Sequence, residues 1–444
     1  MITRTLKNTV FAALMATGVP VTAVADSPVL QAGAGMQGSL PAASAVAHYY
    51  DARRIAPIWF KTGQGADAAN QLVNILKQAP IEGLSIPADL AARAEAAVAK
   101  AQANPAAAAE ADRLLSTAWV AYVQALSAPT HGMIYADSFV MPRTPSAELV
   151  LARLAAAPTL AAHLKSVSDV NPIYAALRSA AIEQAKLPGG GTSVQLAANL
   201  DRARSLPARG RFVMVDAATQ RLWMYEDGRV VDSMKVIVGM NELPTPMIAS
   251  MMYYATFNPY WHVPDHLVRK TLAPNVLKKG PGYLRSNGYQ IVSEWNNDSP
   301  ILDPASVNWK GAEAGTVHVK IRQLPGPDNS MGKMKFPFPN GEGIYLHDTP
   351  DRAKFAEPLR TFSNGCIRLE DAPRLARWLF GHEPAALTST APEQYIPFAK
   401  GVPIYVTYLT AQPQLGEVTP VKDIYGRDRI QEPRTAALPS PSGS

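Results

Sequence analysis

The chain has 444 residues, enough for two domains with substantial cores. Its hydrophobic fraction of 47% is ordinary for a globular protein and excludes wholesale disorder. The formal net charge is +6, with no basic run interleaved with aromatic residues, so nucleic-acid binding has no support. This modest excess is typical of a solvated surface, although it would also suit an anionic polymer as partner.

The N-terminus has the three parts of a secretory signal. Arg4 and Lys7 precede an apolar run from about 10 to 21, and Ala-Val-Ala at 23–25 is a small-residue cleavage site. The apolar run is too short to span a bilayer comfortably, which favours cleavage over a membrane anchor. We therefore predict a signal peptide at residues 1–25, an exported, periplasmic protein, and no membrane span in the mature chain.

The first half of the mature chain shows helical periodicity. Residues 26–46 are rich in Ala, Gly and Ser and are predicted as a flexible lead. Residues 47–187 are predicted as a helical scaffold domain without chemistry of its own. Its predicted helices are 68–79, 87–101, 105–126, 146–156 and 172–186. A Pro/Gly-rich stretch then predicts a linker at 188–210.

The second half is predicted to be mostly β-structure, from 211 to 430. Its predicted strands are 212–215, 222–225, 230–238 and 401–409. Residues 265–329 are long and poorly periodic, which is typical of a lid or a binding loop. Residues 431–444 are predicted as a disordered tail.

The chain has a single cysteine, Cys366, in the sequence Ser-Asn-Gly-Cys-Ile-Arg. It cannot close an internal disulfide, so it is either a small buried apolar residue or a reactive thiol. Gly365 allows close approach of a substrate, and the charge of Arg368 favours the thiolate. Ser363 and Asn364 suit a turn, which predicts a loop shortly before a helix that begins at 371 or 373.

A candidate base lies nineteen residues upstream. His347 has the side chain best tuned to deprotonate a thiol near neutral pH. The pair His262 and His266 could suggest a metal site, but Pro264 between them argues against a regular helix and no third ligand is close in sequence. We predict no metal and no cofactor.

The region from Tyr345 to Leu369 resembles the active-site signature of the L,D-transpeptidases, enzymes that crosslink bacterial peptidoglycan. That signature is a histidine, a spacer of about this length, and Ser/Thr-x-Gly-Cys-x-Arg. Further segments that resemble the large, multidomain subgroup are 257–264, 325–329, 336–340 and 423–428. A weaker likeness to that subgroup's scaffold domain covers about 48–201. No peptidoglycan-binding module is recognised between the two regions.

The resemblance implies an α+β protein with a mostly helical scaffold domain, followed by a mostly-β catalytic domain with a capping insertion at about 265–329. It implies that Cys366 forms a thioester with one peptidoglycan stem peptide and passes it to another in a 3→3 crosslink, with His347 as base. It also implies acylation by carbapenems and other β-lactams.

The resemblance assigns further roles around the thiol. The N–H groups of Gly365 and Cys366 would hold the oxyanion. The backbone carbonyl of Asp348 would orient the imidazole, with the Asp348 carboxylate as the alternative. The residues predicted to contact substrate are Arg368, Ser363, Asn364, Tyr345 and Trp261.

Two other functions remain open from the sequence. Water could resolve the same thioester, which would make the protein an L,D-carboxypeptidase or a crosslink hydrolase. Alternatively the protein could be a non-catalytic cell-wall scaffold, although the intact His347 and Cys366 argue against that.

Overall fold

The computed structural model describes residues 42–53, 57–60, 65–296, 298–414 and 417–429. The predicted signal peptide, most of the predicted lead and the predicted tail lie outside the described residues. The α-helices are α1 (Ala42–Arg53), α2 (Gly65–Gln78), α3 (Leu90–Ala103), α4 (Ala108–Leu126), α5 (Ala147–Ala155), α6 (Leu160–Ser168), α7 (Pro172–Ala185), α8 (Val194–Arg204), α9 (Asp265–Leu267), α10 (Ala273–Lys279), α11 (Gly282–Ser286), α12 (Trp309–Ala314) and α13 (Ala372–Phe380).

Strands dominate from residue 212 onward, as predicted, and one short strand lies earlier in the chain. They are β1 (Ile134–Tyr135), β2 (Phe212–Asp216), β3 (Arg221–Glu226), β4 (Arg229–Gly239), β5 (Ile248–Phe257), β6 (Trp261–His262), β7 (Tyr289–Val292), β8 (Ile301–Leu302), β9 (Ile321–Gln323), β10 (Met334–Pro337), β11 (Tyr345–His347), β12 (Thr361–Ser363), β13 (Ile367–Leu369), β14 (Gln394–Thr407), β15 (Ala411–Gln414) and β16 (Glu417–Pro420). The predicted α+β class, helical first and mostly β second, is confirmed.

Helices α1 to α8 share one hydrophobic core. Leu72 and Leu76 of α2 and Trp119 and Tyr122 of α4 are almost fully buried in it, because helical spacing places them on the inner faces. Side chains just before several helices cap free backbone N–H groups. Asn171, for example, accepts a hydrogen bond from the Tyr174 N–H at 2.9 Å. These caps set where the helices begin.

The segment predicted as a linker contains helix α8. Ser193 caps it by accepting a hydrogen bond from the Leu196 N–H at 3.2 Å. Leu196, Leu200 and Ala203 are buried in the helical core at intervals of four and three residues. The Pro/Gly-rich stretch that precedes Ser193 is typical of a linker, and the prediction extended that linker over the helical period that follows it. Helix α1 likewise begins at Ala42, inside the predicted lead.

Eight strands of the main sheet close into a ring. The hydrogen-bonded order is β5-β10-β11-β13-β4-β3-β2-β14, and β14 also pairs with β5. The ring surrounds a second hydrophobic core, whose fully buried members include Val213, Leu222, Val236, Ile248, Leu346, Ile367 and Val406. Within this ring β11 and β13 are neighbours, so the predicted base and the predicted nucleophile lie side by side in the fold.

The insertion predicted at 265–329 is a folded unit with its own small core. It contains α9 to α12 and strands β7, β8 and β9, and β6, which lies just before it in the chain, completes a four-stranded sheet in the order β6-β9-β7-β8. Val268, Leu272, Val276 and Ile321 are buried together. Its elements are too short for a clear sequence period, which explains the irregular appearance of the segment. Within the described ranges, no helix is long and apolar enough to cross a membrane.

Candidate active site

The site is built on one face of two parallel strands. Strands β11 and β13 pair with Leu346 opposite Ile367 and His347 opposite Arg368. Leu346 and Ile367 are fully buried in the core, and side chains alternate across a strand. The neighbouring positions therefore share the other face. These are Tyr345 and His347 of β11, Arg368 of β13, and Cys366, which immediately precedes β13. Residues far apart in sequence are thus brought together by register.

A tight turn carries Cys366 between β12 and β13. Gly365 has φ +108°, a conformation that side chains with a Cβ rarely adopt, and a Cβ there would lie 2.9 Å from Ile344 Cδ1. The Ser363 hydroxyl donates to the Cys366 carbonyl at 2.5 Å and accepts from the Gly365 N–H at 3.2 Å. A substitution at Gly365 would therefore strain the backbone, and Ser363 closes the turn from inside.

The thiol of Cys366 is protonated in its resting environment. Burial is the largest influence and raises its pKa. The N–H and hydroxyl of Tyr345 and the charge of Arg368 act in the opposite direction without offsetting it. Arg368 therefore favours the thiolate as predicted, but burial outweighs it. The sulfur donates to the Gly343 carbonyl at 3.6 Å, and the residue keeps partial exposure.

His347 is a neutral imidazole. Burial, together with the charge of Arg368, lowers its pKa to about 3, although the hydrogen bond to Asp348 acts in the opposite direction. Its Nδ1 lies 2.5 Å from the backbone carbonyl of Asp348. A carbonyl can only accept, so Nδ1 carries the proton and Nε2 presents its lone pair. Among the described residues, the hydrogen bond of the Cys366 sulfur goes to the Gly343 carbonyl and not to His347.

The carboxylate of Asp348 is bonded elsewhere. One oxygen lies 2.5 Å from Arg352, and the other accepts from the Lys333 N–H at 2.8 Å. A Cβ at Gly332 would collide with this carboxylate. Of the two orienting groups predicted for the imidazole, the structure places the carbonyl on Nδ1, and the carboxylate fixes the backbone that carries it. No role was predicted for Arg352, although its spacing of four residues from Asp348 is typical of an ion pair.

Arg368 has unused hydrogen-bonding capacity. Its Nε is buried, and no described residue accepts a hydrogen bond from it. Burial lowers its pKa, while Asp351 and the Cys366 sulfur act in the opposite direction. A half-buried guanidinium with a free donor beside a nucleophile suits a substrate carboxylate.

The remaining predicted substrate contacts are dispersed. Ser363 is almost fully buried inside the turn, so it supports the loop instead of offering a surface to a substrate. Asn364 is exposed at the tip of the turn. Tyr345 is half-buried, with its ring 6.0 Å from that of His347. Trp261 packs into the insertion, with its ring 6.4 Å from that of Tyr289.

The two predicted oxyanion donors, the N–H groups of Gly365 and Cys366, differ in availability. The Gly365 N–H already donates to Ser363, which leaves the Cys366 N–H as the better candidate. The part of the chain that the structure describes contains no group of three His, Cys, Asp or Glu residues placed to hold a metal ion. In that part His262 packs its ring against Trp295 at 4.7 Å.

Comparison with known families finds two matching domains. A family model of the L,D-transpeptidase catalytic domain (YkuD) matches residues 210–394, and one of the Scaffold domain matches residues 44–180. A Haemophilus influenzae protein named "Putative L,D-transpeptidase" is 32% identical over 243 residues, covering 53% of this chain and 48% of that protein. The chain thus spans about half the length of this curated relative.

Two solved L,D-transpeptidase structures align with this chain at low sequence identity. An L,D-transpeptidase from Mycobacterium smegmatis aligns with 14% identity and a TM-score of 0.23, over 45% of this chain and 59% of its own. L,D-transpeptidase 3 from Mycobacterium tuberculosis, in complex with a faropenem-derived adduct, aligns with 13% identity and a TM-score of 0.20, over 45% and 61%. TM-scores this low support no conclusion about this chain.

Proposed function

Because the chain carries an L,D-transpeptidase catalytic domain behind a Scaffold domain, as the sequence predicted, we propose that it crosslinks peptidoglycan stem peptides 3→3 through a thioester on Cys366. One observation carries the proposal. A neutral imidazole with a fixed tautomer shares a strand face with the only thiol of the chain. A cysteine nucleophile with a histidine base needs such a neutral imidazole on the same face as the thiol.

The first half-reaction needs the base because the thiol is protonated at rest. His347 Nε2 takes the proton as Sγ attacks the peptide carbonyl that precedes the terminal D-amino acid. The oxyanion forms near the Cys366 N–H. The intermediate then collapses: the C–N bond breaks, the departing amine takes the proton from His347, and a thioester remains on Cys366.

The second half-reaction joins the acceptor. The side-chain amine of a diaminopimelate on another stem attacks the thioester and gives its proton to His347. The C–S bond breaks, Sγ recovers the proton, and a new amide links the two stems. Arg368, whose Nε donates to no described residue, would hold a carboxylate of the donor and fix the register of the scissile bond.

We further propose that β-lactams of the carbapenem class acylate Cys366. Their lactam is a strained cyclic amide, so attack by Sγ opens the C–N bond and leaves a thioester with the amine still attached to the adduct. The signal peptide predicted at 1–25 would direct the protein out of the cytoplasm, to where peptidoglycan lies.

The product profile tests the proposed reaction. Purified sacculi incubated with the mature protein should gain 3→3 crosslinked muropeptide dimers, and Cys366→Ala should form none. Stems shortened by one residue, without dimers, would identify a carboxypeptidase. Loss of existing dimers would identify a crosslink hydrolase, and an unchanged profile would favour a non-catalytic scaffold.

A further inference from the structure

Thr245 holds the peptide bond between Gly365 and Cys366. It lies fully buried in the loop between β4 and β5. Its hydroxyl donates to the Gly365 carbonyl at 2.7 Å and accepts from the Gly239 N–H at 2.8 Å. Because the oxygen accepts from Gly239, its proton is directed to Gly365. The loop is tight, since a Cβ on Gly239 would lie 2.6 Å from the Thr245 nitrogen.

The hydrogen bond from Thr245 to the Gly365 carbonyl also fixes the orientation of the Cys366 N–H. The two groups belong to one planar trans peptide unit and point in opposite directions. Gly365 has a φ of +108°, and glycine has more backbone freedom than any other residue. The Gly365–Cys366 peptide unit could therefore rotate unless another group held it. Ser363 restrains the two neighbouring groups, the Gly365 N–H and the Cys366 carbonyl. Among the residues that the structure describes, Thr245 is the one that bonds to the peptide unit carrying the Cys366 N–H.

We infer that Thr245 is a positioning residue that aims the Cys366 N–H at the oxyanion formed when Cys366 is acylated. This inference rests on the proposed acyl transfer. The hydrogen bond to the carbonyl also polarises the same peptide unit, which strengthens the N–H as a donor. Thr245 itself does not touch the substrate.

A C-terminal segment holds Thr245 in place. Arg427 donates from Nη2 to the Thr245 carbonyl at 2.9 Å, and the Tyr425 hydroxyl donates to the Gly239 carbonyl at 2.6 Å. The Arg427 guanidinium lies 5.1 Å from the ring of Tyr408 and 4.8 Å from that of Tyr425. The loop that restrains the Cys366 peptide is therefore clamped on its far side.

Helix α8 anchors this segment in turn. Arg202 of α8 donates to the Arg427 carbonyl at 2.6 Å and to the Asp428 carboxylate at 2.8 Å. Asp423 accepts from the N–H groups of Arg427 and Asp428, each at 2.9 Å. A chain of hydrogen bonds thus runs from the helical region through residues 423–428 to Thr245 and the turn of Cys366.

The test compares Thr245→Val, which is isosteric but lacks the hydroxyl, with Thr245→Ser, which keeps it. Two rates are measured on the mature protein: acylation by imipenem at saturation, and alkylation of Cys366 by iodoacetamide. Acylation passes through an oxyanion, whereas alkylation needs only the thiolate. We expect Thr245→Val to slow acylation roughly 10- to 100-fold and to leave alkylation within about 2-fold, with Thr245→Ser close to the unmodified protein.

Three results would overturn the inference: unchanged acylation in Thr245→Val, equal slowing of acylation and alkylation, or a serine variant as slow as the valine variant. If Thr245→Val does not fold, Arg427→Gln serves instead, since it loosens the same loop and keeps the hydroxyl. We expect Arg427→Gln to slow acylation roughly 3-fold and to leave alkylation unchanged. If the ratio of the acylation rate to the alkylation rate stays the same as in the unmodified protein, the inference is overturned. If the unmodified protein is not acylated at all, the proposed function itself fails.

Discussion

The helical region and the strand pair β11–β13 both bury ionisable groups, but the hydrogen bonding of these groups differs between the two regions. Asp112 of α4 is almost fully buried, and burial is the main cause that raises its pKa. It accepts from the Tyr50 hydroxyl at 2.5 Å, the Ile58 N–H at 3.1 Å and the Trp59 N–H at 2.6 Å. Every contact is internal and none faces a substrate, so this carboxylate organises the fold.

Glu82 repeats the pattern in the same region. Burial raises its pKa, yet Arg178 lies 2.9 Å away and the Tyr174 hydroxyl donates to it at 2.6 Å. On the strand pair, by contrast, no described residue accepts a hydrogen bond from Arg368 Nε, and the contact of His347 with Asp348 engages Nδ1 and not Nε2. A shifted pKa alone does not mark a functional site. On the strand pair the shifted pKa values coincide with unused hydrogen-bonding atoms beside a thiol, and that combination supports a functional site.

The comparison predicts its largest effect at His347. His347→Gln should slow acylation by imipenem about 10³-fold, because the protonated thiol loses its base. The matched control is His163→Gln in α6, where burial also lowers the histidine pKa. Stopped-flow acylation rates of both variants check this. A His347→Gln rate within 3-fold of the unmodified protein would remove His347 from the mechanism.

The second effect concerns stability. Asp112→Ala should lower the free energy of unfolding by about 3 kcal/mol, because it leaves buried donors without an acceptor. Asp51→Ala, which breaks an exposed ion pair with Arg113, should lower it by less than about 1 kcal/mol. Urea unfolding measures both. If the folded Asp112→Ala protein were acylated much more slowly than the unmodified protein, the division between the two regions would not hold.

A smaller effect is expected at Arg368. Arg368→Gln removes a charge that lowers the pKa of Cys366, so iodoacetamide should alkylate the thiol roughly 10-fold more slowly at pH 7. Arg377→Gln, on the exposed side of α13, is the control and should leave the rate unchanged. Faster alkylation in Arg368→Gln would show that the guanidinium does not stabilise the thiolate.

The smallest expected effect is that of pH on the acylation rate. The pKa of His347 is about 3, so the imidazole stays neutral as the pH falls through 6.5, where an ordinary histidine gains its proton. Because the thiol pKa is raised, the thiol stays protonated through neutral pH. Acylation rates should therefore vary by less than about 2-fold between pH 5.5 and 8. An inflection near pH 6.5 that disappears in His347→Gln would contradict the neutral imidazole.

The sequence predicted those parts of the site that depend on local pattern. Cys366 and His347 stand in one short signature, and Asp371 begins α13 by capping the Arg374 N–H at 2.9 Å. The sequence could not show that Ser363 occupies the Gly365 N–H, because that depends on a side-chain rotamer. Nor could it place Thr245, which meets Gly365 across 120 residues only through the closed ring of strands.

The most direct measurement is the intact mass of the mature protein after incubation with a carbapenem. Since Cys366 is the only cysteine, we predict a single adduct on the unmodified protein and none on Cys366→Ala. An unmodified protein that gains no mass, or a Cys366→Ala protein that gains the same mass, would contradict the assignment of this thiol as the nucleophile.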